Sequence, residues 1–408
     1  MRPDILFTRR RFLVGAGAAS AALAGGAILE HWTQAAPTSP VSPQALFGQK
    51  SGPLVLVTLY GGNDGLNTLI PYGDPAYLKA RPNLGYRSDQ VLPLADGLGL
   101  NPQLKGLASL WHSGKLAVVR GVGYPNPVLS HFESMDIWQS ANPIDGNGAG
   151  WLGKWLDLGD GDPIRAISVG VTLPPVLRGN KYAATAVTST ELTLPGDQNF
   201  QNAYSALQAT GSDRVGLAAA IATSGADLLA AKAKLDRLST AAPKGAVSST
   251  DLSAQMAVVA SLILAGAPTQ VYQVSLSSFD THAAEKPNQE KLLSEFDTAI
   301  TTFFQTLSDH PAGKGAVVMT CSEFGRRPTE NASQGTDHGT AAPMFIVGQG
   351  VKGGQFYGEE PSLTSLDPNG NLIHSVDFRS VYASVLEGVL GADSSQVLGG
   401  QFPTIAFL

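Results

Sequence analysis

Residues 53–67 read PLVLVTLYGGNDGLN, and their first half decides the class of fold. Pro53–Tyr60 is an unbroken apolar run rich in β-branched residues, with no polar residue at alternate positions. A strand with one wet face alternates; a strand covered on both faces does not. Five more runs of this kind follow: LAVVRGVG from Leu116, IRAISVG from Ile164, QVYQVSLSS from Gln270, GAVVMTCSE from Gly315 and PMFIVGQG from Pro343. Helical patterns lie between them. The clearest runs from Glu285 to Leu307, where Leu292, Leu293, Phe296, Ile300, Phe303, Phe304 and Leu307 fall on one face. Asp377 stands where the cap of a last helix, DFRSVYASVLEGVL, should be. Strands alternating with helices predict an α/β fold, a mostly parallel sheet with helices on both faces. The rhythm breaks over about 190–267, where two helical stretches follow each other without a strand, so a helical insertion is expected there.

The bulk composition agrees with a packed domain. Of 408 residues, 43% are hydrophobic and 15% charged, enough apolar surface for a large core. The net charge of −6 offers no basic face for nucleic acid. The single cysteine, Cys321, can form no internal disulfide and sits in an apolar strand, where a buried thiol is the expected reading. It is not followed by the Pro-Ser-Arg context that sulfatases convert to formylglycine.

The N-terminus carries an address. Arg9, Arg10 and Arg11 precede a Gly/Ala-rich, weakly hydrophobic run from Phe12 to Leu29, with small residues beyond it. This order is that of a signal peptide, and Thr8-Arg9-Arg10 ahead of Phe12-Leu13 matches the twin-arginine consensus. The expected organisation is a signal over 1–36, a Pro/Ser/Thr-rich linker over 37–50 and one α/β domain over 51–408. The expected location is periplasmic or extracellular, with the twin-arginine machinery as a partner.

In an open parallel sheet, ligands bind beyond the carboxyl ends of the strands. Asp64 follows the first run; Asp280 and His282, in FDTH, follow the Gln270 run; Glu323, Arg326 and Arg327, then Asp337 and His338, follow the Gly315 run. Each fragment alone reads equally well as a turn. Together they bring three carboxylates and two imidazoles to one edge, a set that repels itself unless a divalent cation such as Zn²⁺, Mn²⁺ or Ca²⁺ is held there. Arg326 and Arg327 beside Glu323 read either as a clamp for an anionic ester or as a surface salt bridge.

The ordered motifs GGNDGLN, SHFESMDIW, GWLGKWLD, FDTH, SEFGRRPTENASQGTDHG and DFRSVYASVLEGVLG resemble the exported bacterial family called domain of unknown function 1501. That family in turn is similar to the alkaline phosphatase and sulfatase superfamily. The resemblance implies an alkaline-phosphatase-like sandwich holding one or two metals, with Asp64, Asp337 and His338 on one and Asp280 and His282 on a second. It also implies a nucleophile at a helix start after the second strand. Ser130, followed by His131, stands in that place; its alternative role is an ordinary N-cap, with Glu133 completing a capping box. Glu323 and Arg326 join Ser130 and His131 as catalytic candidates, and His374 is a candidate for a further ligand.

Two functions follow from these residues. One is a metal-dependent hydrolase of phosphate or sulfate esters, acting on a small anionic ester or a polymer. The other is an exported protein that keeps the fold and the metal but only binds. The address is testable by itself. Replacing Arg9 and Arg10 together by Lys should leave the precursor in the cytoplasm, as fractionation of a producing bacterium would reveal; normal export of the double variant would remove the twin-arginine reading.

Overall fold

A computed structural model describes residues 52–408 apart from 145, 190, 191, 193, 195, 210–215, 239–247, 249 and 250. The twin-arginine segment and the linker lie outside the described residues. Two compact units divide the chain. One spans Ser42–Leu192 with Leu235–Leu408; the other includes Thr193–Lys234.

The first unit is built on a nine-stranded sheet. Its strands are β1 (Leu54–Leu59), β2 (Leu116–Gly123), β3 (Ala166–Val169), β4 (Thr185–Val187), β5 (Val271–Leu276), β6 (Val317–Cys321), β7 (Ala342–Gly348), β8 (Gln355–Tyr357) and β9 (Val376–Asp377). Their spatial order is β8-β2-β7-β6-β1-β5-β3-β4, with β9 also pairing β2. Only β7 runs against its neighbours, β2 and β6; the other pairs are parallel. The six apolar runs of the sequence are all strands of this sheet. The short strands β4, β8 and β9 were beyond the reading of period or composition.

β1 shows why its sequence lacks alternation. All six of its residues are buried. Leu54 and Leu56 join a core with Trp151 and Trp155 of α4 (Trp151–Asp157), Ile137 and Trp138 of α3 (His131–Ser140) and Phe378 and Tyr382 of α9 (Phe378–Gly388). The pleat turns Val55 and Val57 to the opposite face, where they are equally buried. That face carries α2 (Lys105–His112), α7 (Leu252–Leu264) and α8 (Glu285–Ser308), with Phe296 of α8 lying 6.3 Å from Phe345 of β7, centroid to centroid. Asp377 caps α9 as expected, accepting from the backbone N–H of Arg379. Between β4 and β5 the described elements are helices: α5 (Gln198–Ala209), α6 (Leu217–Leu238) and α7. No helix among the described residues is long and apolar enough to cross a membrane. Cys321 is buried in β6, and burial pushes its thiol up to about 12.

Beneath the strand ends lies a buried ionic cluster. Asp64 and Arg81, which follows α1 (Pro75–Ala80), are both fully buried and paired in a two-point contact; one of the two bonds, Nη2 to Oδ1, measures 2.9 Å. Glu285, at the start of α8, is the third member and accepts from the Thr336 hydroxyl at 2.6 Å. Burial works to raise the Asp64 pKa, but Arg81 outweighs it and keeps Asp64 ionised. For Glu285 burial and the Asp64 charge act together and raise its pKa to about 9. One guanidinium thus neutralises one carboxylate, and the second carboxyl keeps its proton.

The cluster sets a pH dependence. Between the ordinary Glu value of 4.5 and about 9, folded Glu285 binds a proton that the unfolded chain has released. Stability therefore falls as pH rises through that window. Glu285→Gln, which keeps a donor for Asp64 and an acceptor for Thr336, should raise the melting temperature by a few degrees at pH 8 and change it little at pH 4.5. A variant less stable than wild type at pH 8 would contradict the protonated assignment. Asp64→Asn should behave oppositely, costing about 3–5 kcal/mol because it leaves Arg81 buried without its counter-charge.

Candidate metal centre

Four strand-end segments meet at one edge of the sheet: those after β1, β2, β5 and β6. β1, β5 and β6 are direct parallel neighbours, and two antiparallel pairings through β7 make β2 parallel to β6. Their carboxyl ends therefore share the edge.

Asp280, in the loop after β5, is the hub. Its Oδ1 lies 2.9 Å from His282 Nε2, 3.2 Å from His338 Nε2 and 3.4 Å from His131 Nε2. His282 Nε2 and His338 Nε2 are themselves 2.9 Å apart. His131 is the first residue of α3, brought in by the segment after β2. His338 ends the ribbon Arg326–Glu330/Thr336–His338, two antiparallel strands in which Arg326 faces His338. The ligand atoms of His131, Asp280 and His338 all lie within 4.8 Å of one another.

The other nitrogen of each ring is held from outside. His131 Nδ1 is 2.8 Å from Glu323 Oε1, and His338 Nδ1 is 2.8 Å from the carbonyl of Leu129. A nitrogen at that distance from an acceptor carries a hydrogen, which leaves the facing Nε2 of each ring as the nitrogen able to present a lone pair to Asp280. His282 Nδ1 sits 3.6 Å from Asp337 Oδ1. Burial lowers the His338 pKa against the opposing pull of its partners at Leu129 and Asp280, which favours the neutral ring. Partial burial tends to raise the Asp280 pKa, but the hydrogen bond and the charge of Arg326 prevail and hold it at about 2. His131 Nε2 is buried and has no hydrogen-bond partner.

Glycines let these segments approach so closely. Gly61 has φ 114°, and a Cβ there would lie 2.5 Å from the Asp280 nitrogen. A Cβ on Gly335 would lie 2.2 Å from the carbonyl carbon of His282. The glycine before Asp337-His338 is thus needed for the close approach of the ribbon to the FDTH loop.

Several residues stand apart from the positions that the sequence implied. Asp64 is enclosed with Arg81 and is not among the converging ligand atoms. Asp337 precedes His338 in a strand, so the pleat points it to the other face; its Oδ1 accepts from Asn331 Nδ2 at 3.1 Å. Arg326 is neither a clamp nor a surface ion pair. It is 1% exposed and donates to the carbonyls of Gly61, Gly62 (2.7 Å), Phe279 (3.0 Å) and Thr336 (2.9 Å), and to Asp280 Oδ1 (2.9 Å). Glu323 orients His131 and accepts the Gly61 N–H at 2.8 Å. Ser130 is the N-cap of α3, but its exposed hydroxyl caps nothing, so the expected capping box with Glu133 is not formed. His374 lies half-buried in a neighbouring cavity. His131, a catalytic candidate from its sequence position, brings its Nε2 among the ligand atoms. Arg81 and Glu285 gave no signal in the sequence, since their partners are distant in the chain.

Among solved structures, the chain is similar to a protein in the alkaline phosphatase superfamily from Vibrio parahaemolyticus (10% identity, 95% of this chain and 78% of that one, TM-score 0.42). It is also similar to the lipoteichoic acid synthase LtaP from Listeria monocytogenes (10%, 87% and 76%, 0.37). A third is the C-terminal periplasmic domain of EcEptC from Escherichia coli, in complex with Zn (10%, 74% and 74%, 0.34). No curated protein matches the sequence. The family described as "Protein of unknown function (DUF1501)" matches residues 118–387, beginning past β1 and its GGNDG turn. With well over half of its length matched, the chain belongs to that family.

Proposed function

We propose that the protein is a divalent-metal-dependent hydrolase of phosphate or sulfate esters that acts outside the cytoplasm. The observation that carries this reading is the convergence of imidazole nitrogens on the ionised Asp280, with His131 Nε2 buried and unpartnered. Lone pairs facing a carboxylate repel it, and a cation between them turns the repulsion into coordination. The donor set fits such an ion. His131, Asp280 and His338 would hold it, with His282 as a fourth donor. Three imidazoles and one carboxylate favour Zn²⁺ ahead of Mn²⁺ and disfavour Ca²⁺, which prefers oxygen ligands. With Asp64 engaged by Arg81, these donors suit one ion.

A bound ion would supply a Lewis acid that polarises an ester oxygen and lowers the pKa of a water. The protein's own groups do the rest. Glu323 and the Leu129 carbonyl fix the tautomers of His131 and His338. Arg326 anchors Asp280. The amino end of α3 begins at His131 and draws an anionic ester toward the same place. The site is open, since the side chains of Asp280 and His282 are both 46% exposed. In the hydrolysis, the oxygen of water bonds to phosphorus or sulfur, the bond to the alcohol oxygen breaks, and the alcohol leaves with a proton from the water. The Ser130 hydroxyl makes no hydrogen bond among the described residues, which favours water as the nucleophile. The binding-only reading draws on one observation: Arg326 is engaged by protein acceptors and does not serve an ester.

Metal content and turnover test the reading. The purified, chelator-stripped protein should take up one Zn²⁺ per chain by elemental analysis and hydrolyse an aryl phosphate or aryl sulfate. His338→Ala should lose metal and turnover together. Ser130→Ala should keep the metal and stay within about threefold of wild-type turnover; a loss of several orders of magnitude would transfer the nucleophile to Ser130. Stoichiometric zinc with no turnover over phosphate, sulfate and phosphonate esters would leave the binding reading.

A further inference from the structure

A cavity of about 100 Å³ adjoins the metal centre and belongs to none of the steps above. Tyr124, Trp138, Phe324, Leu372, Ile373 and His374 line it. Phe324 is the shared wall. Its ring lies 4.8 Å from His131 and 4.7 Å from His338, centroid to centroid, while the same side chain lines the cavity. The segment between β2 and α3 links the two places as well. Pro127 stands at the cavity, and two residues later the Leu129 carbonyl accepts from His338.

The lining is apolar, and its polar atoms are nearly all engaged. The Tyr124 hydroxyl is bonded to Ser134 and to the Val128 N–H, and the Thr340 hydroxyl donates to the Leu372 carbonyl. Burial lowers the pKa of His374 against the opposing charge of Asp377, so its ring adds no positive charge. Trp138 is 3% exposed and gives the cavity the face of its ring, with its indole nitrogen enclosed; the Asp367 carboxylate, also in the lining, accepts from the N–H groups of Asn369 and Asn371 and from Asn371 Nδ2. Ile373, 50% exposed, and the exposed Pro127 leave the cavity open to solvent.

We infer that this cavity is the subsite for the organic part of the ester, and that it selects an apolar, ring-sized group. The inference rests on the hydrolase reading, because it assigns the cavity to the same substrate as the metal centre. Three aromatic walls suit a planar ring, and at roughly 10–15 Å³ per water-sized group the volume suits about seven heavy atoms. A sugar polyol fits poorly, since a lining this apolar cannot satisfy its hydroxyls. An anionic head group fits no better, since the Asp367 carboxylate in the lining is itself negative.

Two phosphonates of equal charge and no leaving group make the test. In the zinc-loaded protein, calorimetry should find benzylphosphonate bound at least about tenfold more tightly than methylphosphonate, from burial of the ring. Ile373→Trp, which fills the mouth from a half-exposed position, should bring benzylphosphonate down to the affinity of methylphosphonate. Equal affinities in the wild type would overturn the subsite and leave the metal reading standing. If the protein takes up no zinc and binds neither phosphonate, the metal reading fails, and phenol titrated into the metal-free protein decides the cavity separately. A saturable shift of the Trp138 indole N–H resonance that Ile373→Trp abolishes would support a ring-binding cavity; an unmoved resonance would overturn it.

Discussion

The site depends on one buried guanidinium. Arg326 gathers carbonyls from the turn after β1, the loop after β5 and its own ribbon, and then reaches Asp280. These segments are far apart in sequence, and no regular structure joins the turn and the loop to the ribbon. A planar group with donors in a fixed fork can bind several acceptors at once; an ammonium on a flexible stem cannot fix them in the same way. The charge also stabilises Asp280 in the ionised form that a cation would need. Asp280 in turn collects the imidazoles, so the geometry of the centre is set by a residue outside its donor set.

A second guanidinium, Arg81, does comparable work one layer deeper. It neutralises Asp64 and leaves Glu285 with its proton, and Thr336 ties that carboxyl to the strand bearing His338. The floor of the centre is therefore polar but nearly neutral. This matters for any cation held above it. A second ionised carboxylate in the floor would strengthen attraction for any cation and blunt the preference that three imidazoles provide.

The sheet was legible because strands buried on both faces leave a mark that composition alone carries, as in LVLVTL. The strand-end rule then located Asp280, His282 and His338, since each follows an apolar run. What stayed hidden has a common physical origin. Whether Asp64 meets a metal or an arginine depends on where Arg81 lies after a helix turns back, and no local pattern records that. Asp337 and His338 look equivalent in the sequence, yet a pleat of three residues sends them to opposite faces. The reading of Arg326 as a clamp failed because exposure is set by the fold; an arginine in a polar run resembles a surface residue until its neighbours close over it. His131 could be placed near the site from its position after β2, but only the direction of its ring put it among the ligand atoms. Strands of two or three residues, such as β8 and β9, are too short to show a period.

The reversed strand β7 has a consequence for how this fold can diversify. In a parallel sheet, the chain leaving one strand must travel back along the sheet before the next can begin, and that journey is usually a packed helix. Because β7 runs the other way, the chain leaves β6 and enters β7 at the same edge. Residues 322–341 thus have no crossover to make and form a promontory with Glu323, Phe324, Arg326 and His338 on it. Such a segment can lengthen, shorten or change its side chains while the sheet behind it keeps its register. Within one scaffold, a stretch of twenty residues thus carries both groups that hold the site together and groups that face it, with no crossover between them.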